Sequence, residues 1–236
     1  MNPRVSVCMA TYNGERYIKQ QIDSILCQLG PNDELIISDD KSKDKTIEII
    51  KSINDSRIVL LNHTPAKGSS FIKAKSNFEN ALSASKGQYI FMSDQDDIWH
   101  PEKIEKMIPY LDKYGCVQHG KIERFEDNRP DKVQQPLRSN HSLISGVLSM
   151  HFAGCCMGVT RDFLSDALPI PKNVVTHDGW LACYAISRKE YHYTSIPLLY
   201  HRVHCNNVSV GIKNELWFKI RYRITLLKEI LKRNVK

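Results

Sequence analysis

Short apolar runs that each stop at a polar turn recur through the first hundred residues, and that alternation restricts the chain to few folds. Val5-Ser6-Val7-Cys8-Met9-Ala10 reads as a strand ending at Thr11-Tyr12-Asn13-Gly14. Ile18, Ile22, Ile25, Leu26 and Leu29 then recur at helical spacing until Gly30-Pro31 stops them. Leu35-Ile36-Ile37 is a second strand, ending at Ser38-Asp39-Asp40; a helix through Ile47, Ile49 and Ile50 and a strand at 58–61 follow. A Gly68-Ser69-Ser70 loop, a helix near Lys75–Ser85 and a strand at Tyr89–Met92 complete the series. Strands alternating with helices, and apolar enough to be buried on both faces, predict an α/β sandwich with a largely parallel sheet. Ligands of such sheets gather beyond the carboxyl ends of the strands. Three of those ends are polar here: Thr11–Glu15, Asp39-Asp40 and Asp94–Asp97.

Beyond the helix that Pro101 begins, the alternation loosens. Cys116–Phe125 reads as another strand, and the polar stretch 126–141, with Pro130 and Pro136, as an insertion or lid. Phe152–Val159 is apolar and holds Gly154 and Gly158, and Leu198–His201 looks like a late strand. No internal repeat, low-complexity tract or clear linker is present.

At 236 residues, with 42% hydrophobic and 25% charged residues, the chain can bury a substantial core. Asn2-Pro3-Arg4 leads straight into the first strand without a charged-plus-apolar leader, and no apolar stretch approaches a membrane span. Seven scattered cysteines without a Cys-x-x-Cys pair read as reduced core thiols of a cytoplasmic protein. The net charge of +7 fits nucleic acid, an anionic membrane surface or phosphorylated substrates. No nucleic-acid-binding motif accompanies it, so nucleic acid is not expected as a partner.

The chemistry concentrates at residues 93–101, Ser-Asp-Gln-Asp-Asp-Ile-Trp-His-Pro. Asp94, Asp96 and Asp97 follow directly on the Tyr89–Met92 strand, and carboxylates so crowded repel unless a cation or donors sit among them. Oxygen-rich clusters suit Mg²⁺ or Mn²⁺, which keep positions open for substrate phosphates. The plain alternative is an acidic turn capping the next helix.

Five blocks in order then carry a resemblance: VSVCMATYNG from Val5, IISDDKSKDKT from Ile36, SDQDDIWHPEKI from Ser93, HDGW from His177 and HRVHCNN from His201. Together they resemble family-2 glycosyltransferases, and most nearly a bacterial rhamnosyltransferase-like branch. The resemblance implies a GT-A fold, a Rossmann-like, mostly parallel sheet flanked by helices. Residues 1–210 would form that domain, with a nucleotide-binding half at about 1–100 and an acceptor-binding half at about 101–210. Residues 211–236 would be a basic amphipathic C-terminal helix.

Carried over by position, the resemblance assigns Thr11, Tyr12 and Glu15 to the nucleotide pocket and Asp39, with Asp40, to the base or ribose. Asp94 would face the ribose and the metal, Asp96 would bind the metal, and His204 would complete its shell or touch the diphosphate, with Mn²⁺ or Mg²⁺ as the ion. Asp97 would support the loop. Asp178 would be the catalytic base, preceded by His177 where the family more often has Glu. An N-cap aspartate is the alternative for Asp178. Gly154 and Trp180 would meet the acceptor, although core packing serves equally well for both. Asn77 is structural, and His201 is a strand residue without an assigned role.

The implied reaction moves a sugar from a nucleotide-sugar donor to a glycan or lipid-linked saccharide, with inversion. A dTDP-rhamnose or a UDP-sugar is the expected donor. A sugar nucleotidyltransferase is the rival enzyme, weakened because its Gly-rich, Arg-containing loop is absent. A non-catalytic member of the fold is the other rival. Residues 211–236 carry eight Lys or Arg against two Glu, with Trp217, Phe218, Ile220, Ile224, Leu227 and Leu231. Such a helix reads as peripheral contact with an anionic membrane, or as packing on the domain or in a homodimer.

Overall fold

The structure is a computed structural model and describes residues 3–126, 129–134, 142–204 and 216–235. Three βα units and a fourth strand come first: β1 (Val5–Thr11), α1 (Ile18–Leu26), β2 (Glu34–Asp39), α2 (Thr46–Ser52), β3 (Ile58–Asn62), α3 (Ser70–Ala84) and β4 (Tyr89–Asp94), with β5 (Ile98–Trp99) and α4 (Lys103–Leu111) after them. The second half holds β6 (Cys116–Phe125), β7 (Lys132–Val133), α5 (Leu143–Ser149), a 3-10 turn (Gly154–Cys156), β8 (Met157–Thr160) and α6 (Arg161–Ala167). It continues through α7 (His177–Ser187), β9 (Tyr191–Val203) and α8 (Leu216–Asn234).

One sheet runs β3-β2-β1-β4-β8-β6-β9-β5, with β7 on β6. Its first four strands are parallel, β8 is antiparallel to both neighbours, and β6 and β9 are again parallel. Period-two alternation sends Val5, Val7 and Met9 of β1 to one face and Cys8 to the other. The first face packs with α1 and α4, the second with α3, α6, α7 and α8. This is the α/β sandwich expected from the alternation. The strand Cys116–Phe125 has the bounds read from sequence, whereas α3 starts earlier than Lys75. It begins soon after Gly68, whose φ of 139° suits glycine and ends the preceding loop. The described cysteines are free thiols, all buried except Cys27. Most of the insertion at 126–141 lies outside the described residues.

Register brings the polar ends together. Thr11 lies beside Asp39, and Ala10 beside Asp94. From the other side β9 pairs with β5 just after the acidic loop, setting Tyr200 against Ile98.

Helix α8 packs by one face only. Leu226 and Ile230 are fully buried in the core that holds α7, and the Arg233 guanidinium donates to the carbonyls of Asp166, Leu168 and Pro169. Its neighbour Leu231 is 54% exposed. Ile230→Ala should therefore cost about 2–5 kcal/mol in urea unfolding, and Leu231→Ala less than about 0.5 kcal/mol.

Candidate active site

The loop after β1 is stitched to the loop after β2 and to the acidic loop. Gly14 N donates to Thr46 Oγ1 (2.7 Å), Asn13 N to Ser42 Oγ (2.8 Å) and Glu15 N to Asp44 Oδ2 (3.1 Å). In return the Glu15 carboxylate accepts from Lys45 N at 2.9 Å. Gln95 binds the same loop twice: its Oε1 accepts from Tyr12 N at 2.9 Å and its Nε2 donates to Tyr12 O at 3.0 Å. The buried Thr11 hydroxyl donates to that Oε1 as well, while Tyr12 remains exposed. A side chain on Gly14 would have to displace the Gln95 amide from the β1 loop.

Asp39 and Asp40, expected against base or ribose, are buried and engaged. Asp39 accepts from Ser42 N and Ser42 Oγ. Asp40 pairs with His63 Nδ1, whose Nε2 faces Ser76 Oγ at 3.2 Å. Asn77 Nδ2 donates to Thr11 O, so its structural assignment agrees with the geometry.

At the end of β4 the three carboxylates converge: Asp94, Asp96 and Asp97 each offer an oxygen within 4.8 Å of the others. Burial, then the charges of Asp97 and Asp96, pushes the Asp94 carboxyl up to about 8. Burial and the Asp97 charge also raise Asp96. Asp97 goes the other way: burial acts upward, but the His201 hydrogen bond and charge and the Arg202 amide hold it low. Its Oδ1 accepts from His201 Nδ1 at 2.9 Å and from Arg202 N at 3.1 Å. His204 Nε2 lies 2.8 Å from Asp96 Oδ2, and its ring stacks on Tyr17. The late histidine is thus brought to the acidic loop. His201, to which sequence assigned no role, is brought there too, on β9, where it pairs with Glu123 of β6.

A fully buried lysine lies behind the cluster. Lys103 Nζ donates to Cys155 O at 2.7 Å and sits 3.8 Å over the Trp99 ring. Burial lowers it to about 8, opposed by nearby thiols and by Asp97 and Asp94. These residues fit a hard divalent cation: carboxylates too crowded to ionise together, an imidazole, and a buried Asp97 Oδ2 without a hydrogen-bond partner. Asp97 also groups with Cys155 and His201, a softer set.

The 3-10 turn at Gly154–Cys156 joins this cluster to the second half of the site. A Cβ on Gly154 would collide with His177 Nε2, so the close approach that glycine permits is to this imidazole. His177 stacks on Phe78 with centroids 4.1 Å apart, and burial lowers its pKa. Asp178 stands in the first turn of α7, where Gly179 N donates to its Oδ1 (2.7 Å) and to Thr176 Oγ1 (3.2 Å). Thr176, and not Asp178, is the N-cap. Tyr222 of α8 hydrogen-bonds Thr176 Oγ1 at 2.9 Å. Sequence gave no sign of that contact. Trp180 is a correction: its ring is fully buried, stacked on Tyr184, and its Nε1 donates to Ala167 O. It fills the core and offers no face to an acceptor.

The family model for glycosyl transferase family 2 matches residues 6–168. The dTDP-rhamnosyl transferase RfbG of Shigella flexneri is 27% identical over 228 residues, covering 91% of this chain and 77% of that protein. The UDP-Glc:alpha-D-GlcNAc-diphosphoundecaprenol beta-1,3-glucosyltransferase WfaP of Escherichia coli is 37% identical over 108 residues, 46% of this chain and 41% of that protein. Several other curated relatives are likewise spanned over less than half of their length. Among solved structures, S. aureus TarS 1-349 in complex with UDP-GlcNAc superposes with a TM-score of 0.71 at 17% identity, covering 98% of this chain and 72% of that one. Glucosyl-3-phosphoglycerate synthase from Mycobacterium tuberculosis, in complex with Mn²⁺, UDP and glucosyl-3-phosphoglycerate, gives 0.62 at 19% identity, covering 97% and 80%. At those identities the structures establish the fold alone.

The raised Asp94 has a consequence without metal. Between pH 4 and 8 the folded carboxyl keeps a proton that the unfolded chain, with an ordinary value of 3.8, has released. Its contribution to stability therefore falls as pH rises through that window. In urea unfolding with EDTA, Asp94→Asn should gain on the native protein steadily from pH 4 to pH 8. Parallel stability curves would show an unshifted Asp94.

Proposed function

The chain belongs to glycosyl transferase family 2, and from that premise we propose an inverting, metal-assisted transfer of a hexose from a nucleotide sugar to a saccharide acceptor. The observation that carries this reading is the convergence of Asp94, Asp96 and His204 beside the ends of β1 and β2. Residues 1–100 act as the nucleotide-binding half and 101–210 as the acceptor half. Thr11, Tyr12, Glu15, Asp39 and Asp40 shape the nucleotide pocket, several through the loops they lock.

A divalent cation, Mn²⁺ or Mg²⁺, held by Asp94, Asp96 and His204 would supply positive charge against the donor diphosphate. The chain's own residues do the rest. Asp178 accepts the proton of the acceptor hydroxyl as that oxygen bonds to the anomeric carbon. The bond from that carbon to the diphosphate oxygen breaks on the opposite face, so the configuration inverts and the nucleotide diphosphate leaves. Thr176 and Gly179 hold the turn that carries Asp178. His177, buried and with its pKa lowered, packs the Gly154 turn and does not compete for the proton.

The donor we favour is dTDP-rhamnose, because similarity to the rhamnosyl transferase runs along 91% of this chain. UDP-glucose ranks next, from the shorter but stronger match to the glucosyltransferases. The acceptor is a growing surface glycan on a lipid diphosphate, met at the cytoplasmic face of the membrane. No helix among the described residues is long and apolar enough to cross a membrane.

Asp178→Asn should lower kcat by about 10²- to 10⁴-fold and leave nucleotide affinity within about twofold. Transfer at the native rate by this variant would remove Asp178 as the base.

A further inference from the structure

Helix α8 turns one face to the core and a second, unused face to solvent. Trp217, Arg221, Ile224, Lys228 and Leu231 follow at spacings of four, three, four and three residues and form one stripe along the helix. All five are exposed, Trp217 by 73%. The stripe contains no acidic residue, and Lys219 and Lys232 flank it, also exposed. The inward face is a different set, Tyr222, Leu226 and Ile230. Core packing therefore accounts for the second set and leaves the first unexplained. Helix α5 packs against α8 and exposes Ile144 and Leu148, one turn apart.

The chemistry of the stripe favours one occupant. Apolar side chains alternate with cations that have long stems, so the heads can reach phosphates while Trp217, Ile224 and Leu231 enter the headgroup layer. A two-fold pairing of two such stripes would set Arg221 and Lys228 against like charges. Protein interface cores are also poor in lysine. We propose that this stripe docks on an anionic lipid bilayer.

The position of the stripe gives docking a use, which rests on the lipid-linked acceptor proposed above. Tyr222 follows Trp217 by five residues, about 7.5 Å along the helix axis. Its hydroxyl meets Thr176, the cap of the helix bearing Asp178. A bilayer seated on the Trp217 end of α8 thus lies beside the acceptor half of the site.

The test is sedimentation of the full chain with vesicles of phosphatidylcholine alone or mixed with phosphatidylglycerol. The native protein should sediment with the mixed vesicles, stay free with phosphatidylcholine, and be released by high salt. Ile224→Asp and the double variant Arg221→Glu/Lys228→Glu, each shown folded by circular dichroism, should bind at least about tenfold more weakly. Equal sedimentation of the native and variant proteins, or none with the mixed vesicles, overturns the proposal. A dimer that Ile224→Asp dissociates, in the absence of vesicle binding, overturns it as well and gives the face to a second copy. Vesicle binding requires no acceptor or donor. A transferase reading that fails with Asp178→Asn therefore leaves the sedimentation result standing.

Discussion

The structure turns on a single buried carboxylate. Asp97 is fully buried, and its Oδ1 takes a hydrogen bond from the His201 ring and another from the Arg202 amide. That pair ties the end of β9 to the loop after β4, across more than a hundred residues of chain. Release of that tie would leave a charge buried with no donor, which costs several kcal/mol. With it in place, Arg202 Nε also donates to Asp96 O, and His204 arrives at Asp96 Oδ2. The tether thus assembles the proposed metal set from two distant segments.

The neighbouring carboxylates show why such a tether is needed. Asp94 and Asp96 lie in the same small volume, and burial and the charge of Asp97 raise both. The loop is held by groups that do not belong to the carboxylates themselves: Gln95 on the β1 loop, His201 of β9, and His204 just after it. Such a frame holds the three carboxyl groups side by side.

Much of this was legible in sequence, for a physical reason. Parallel strands buried on both faces must be continuous apolar runs, so β1, β2 and β4 announce themselves, and their polar ends mark the ligand edge. The crowding of the acidic loop and the approach of His204 to it were readable from ordered motifs. What was not legible depends on long-range pairing. Strand β9 spans thirteen residues, but only Leu198–His201 shows an apolar strand pattern, because Tyr191–Thr194 is polar and aromatic. His201 meets Asp97 only through the long-range pairing of β9 with β6, which leaves no local signature, so the contact was hidden. Trp180 failed for the opposite reason. A tryptophan beside the expected base suggests sugar stacking, yet α7 is buried nearly all round and the ring is needed in the core. In α8, apolar residues lie on both faces, and only packing separates Leu226 and Ile230 from Trp217 and Ile224.

The account stands or falls on whether nucleotide and metal share the site at the end of β4. The direct measurement is thermal stability of the full chain with dTDP or UDP, each with and without Mn²⁺, compared with Asp96→Ala. A nucleotide at about 100 times its dissociation constant stabilises by about 2.7 kcal/mol. The account predicts that shift for one nucleotide, only with Mn²⁺, and its loss in Asp96→Ala. An equal shift without metal, or one that survives in Asp96→Ala, would contradict it.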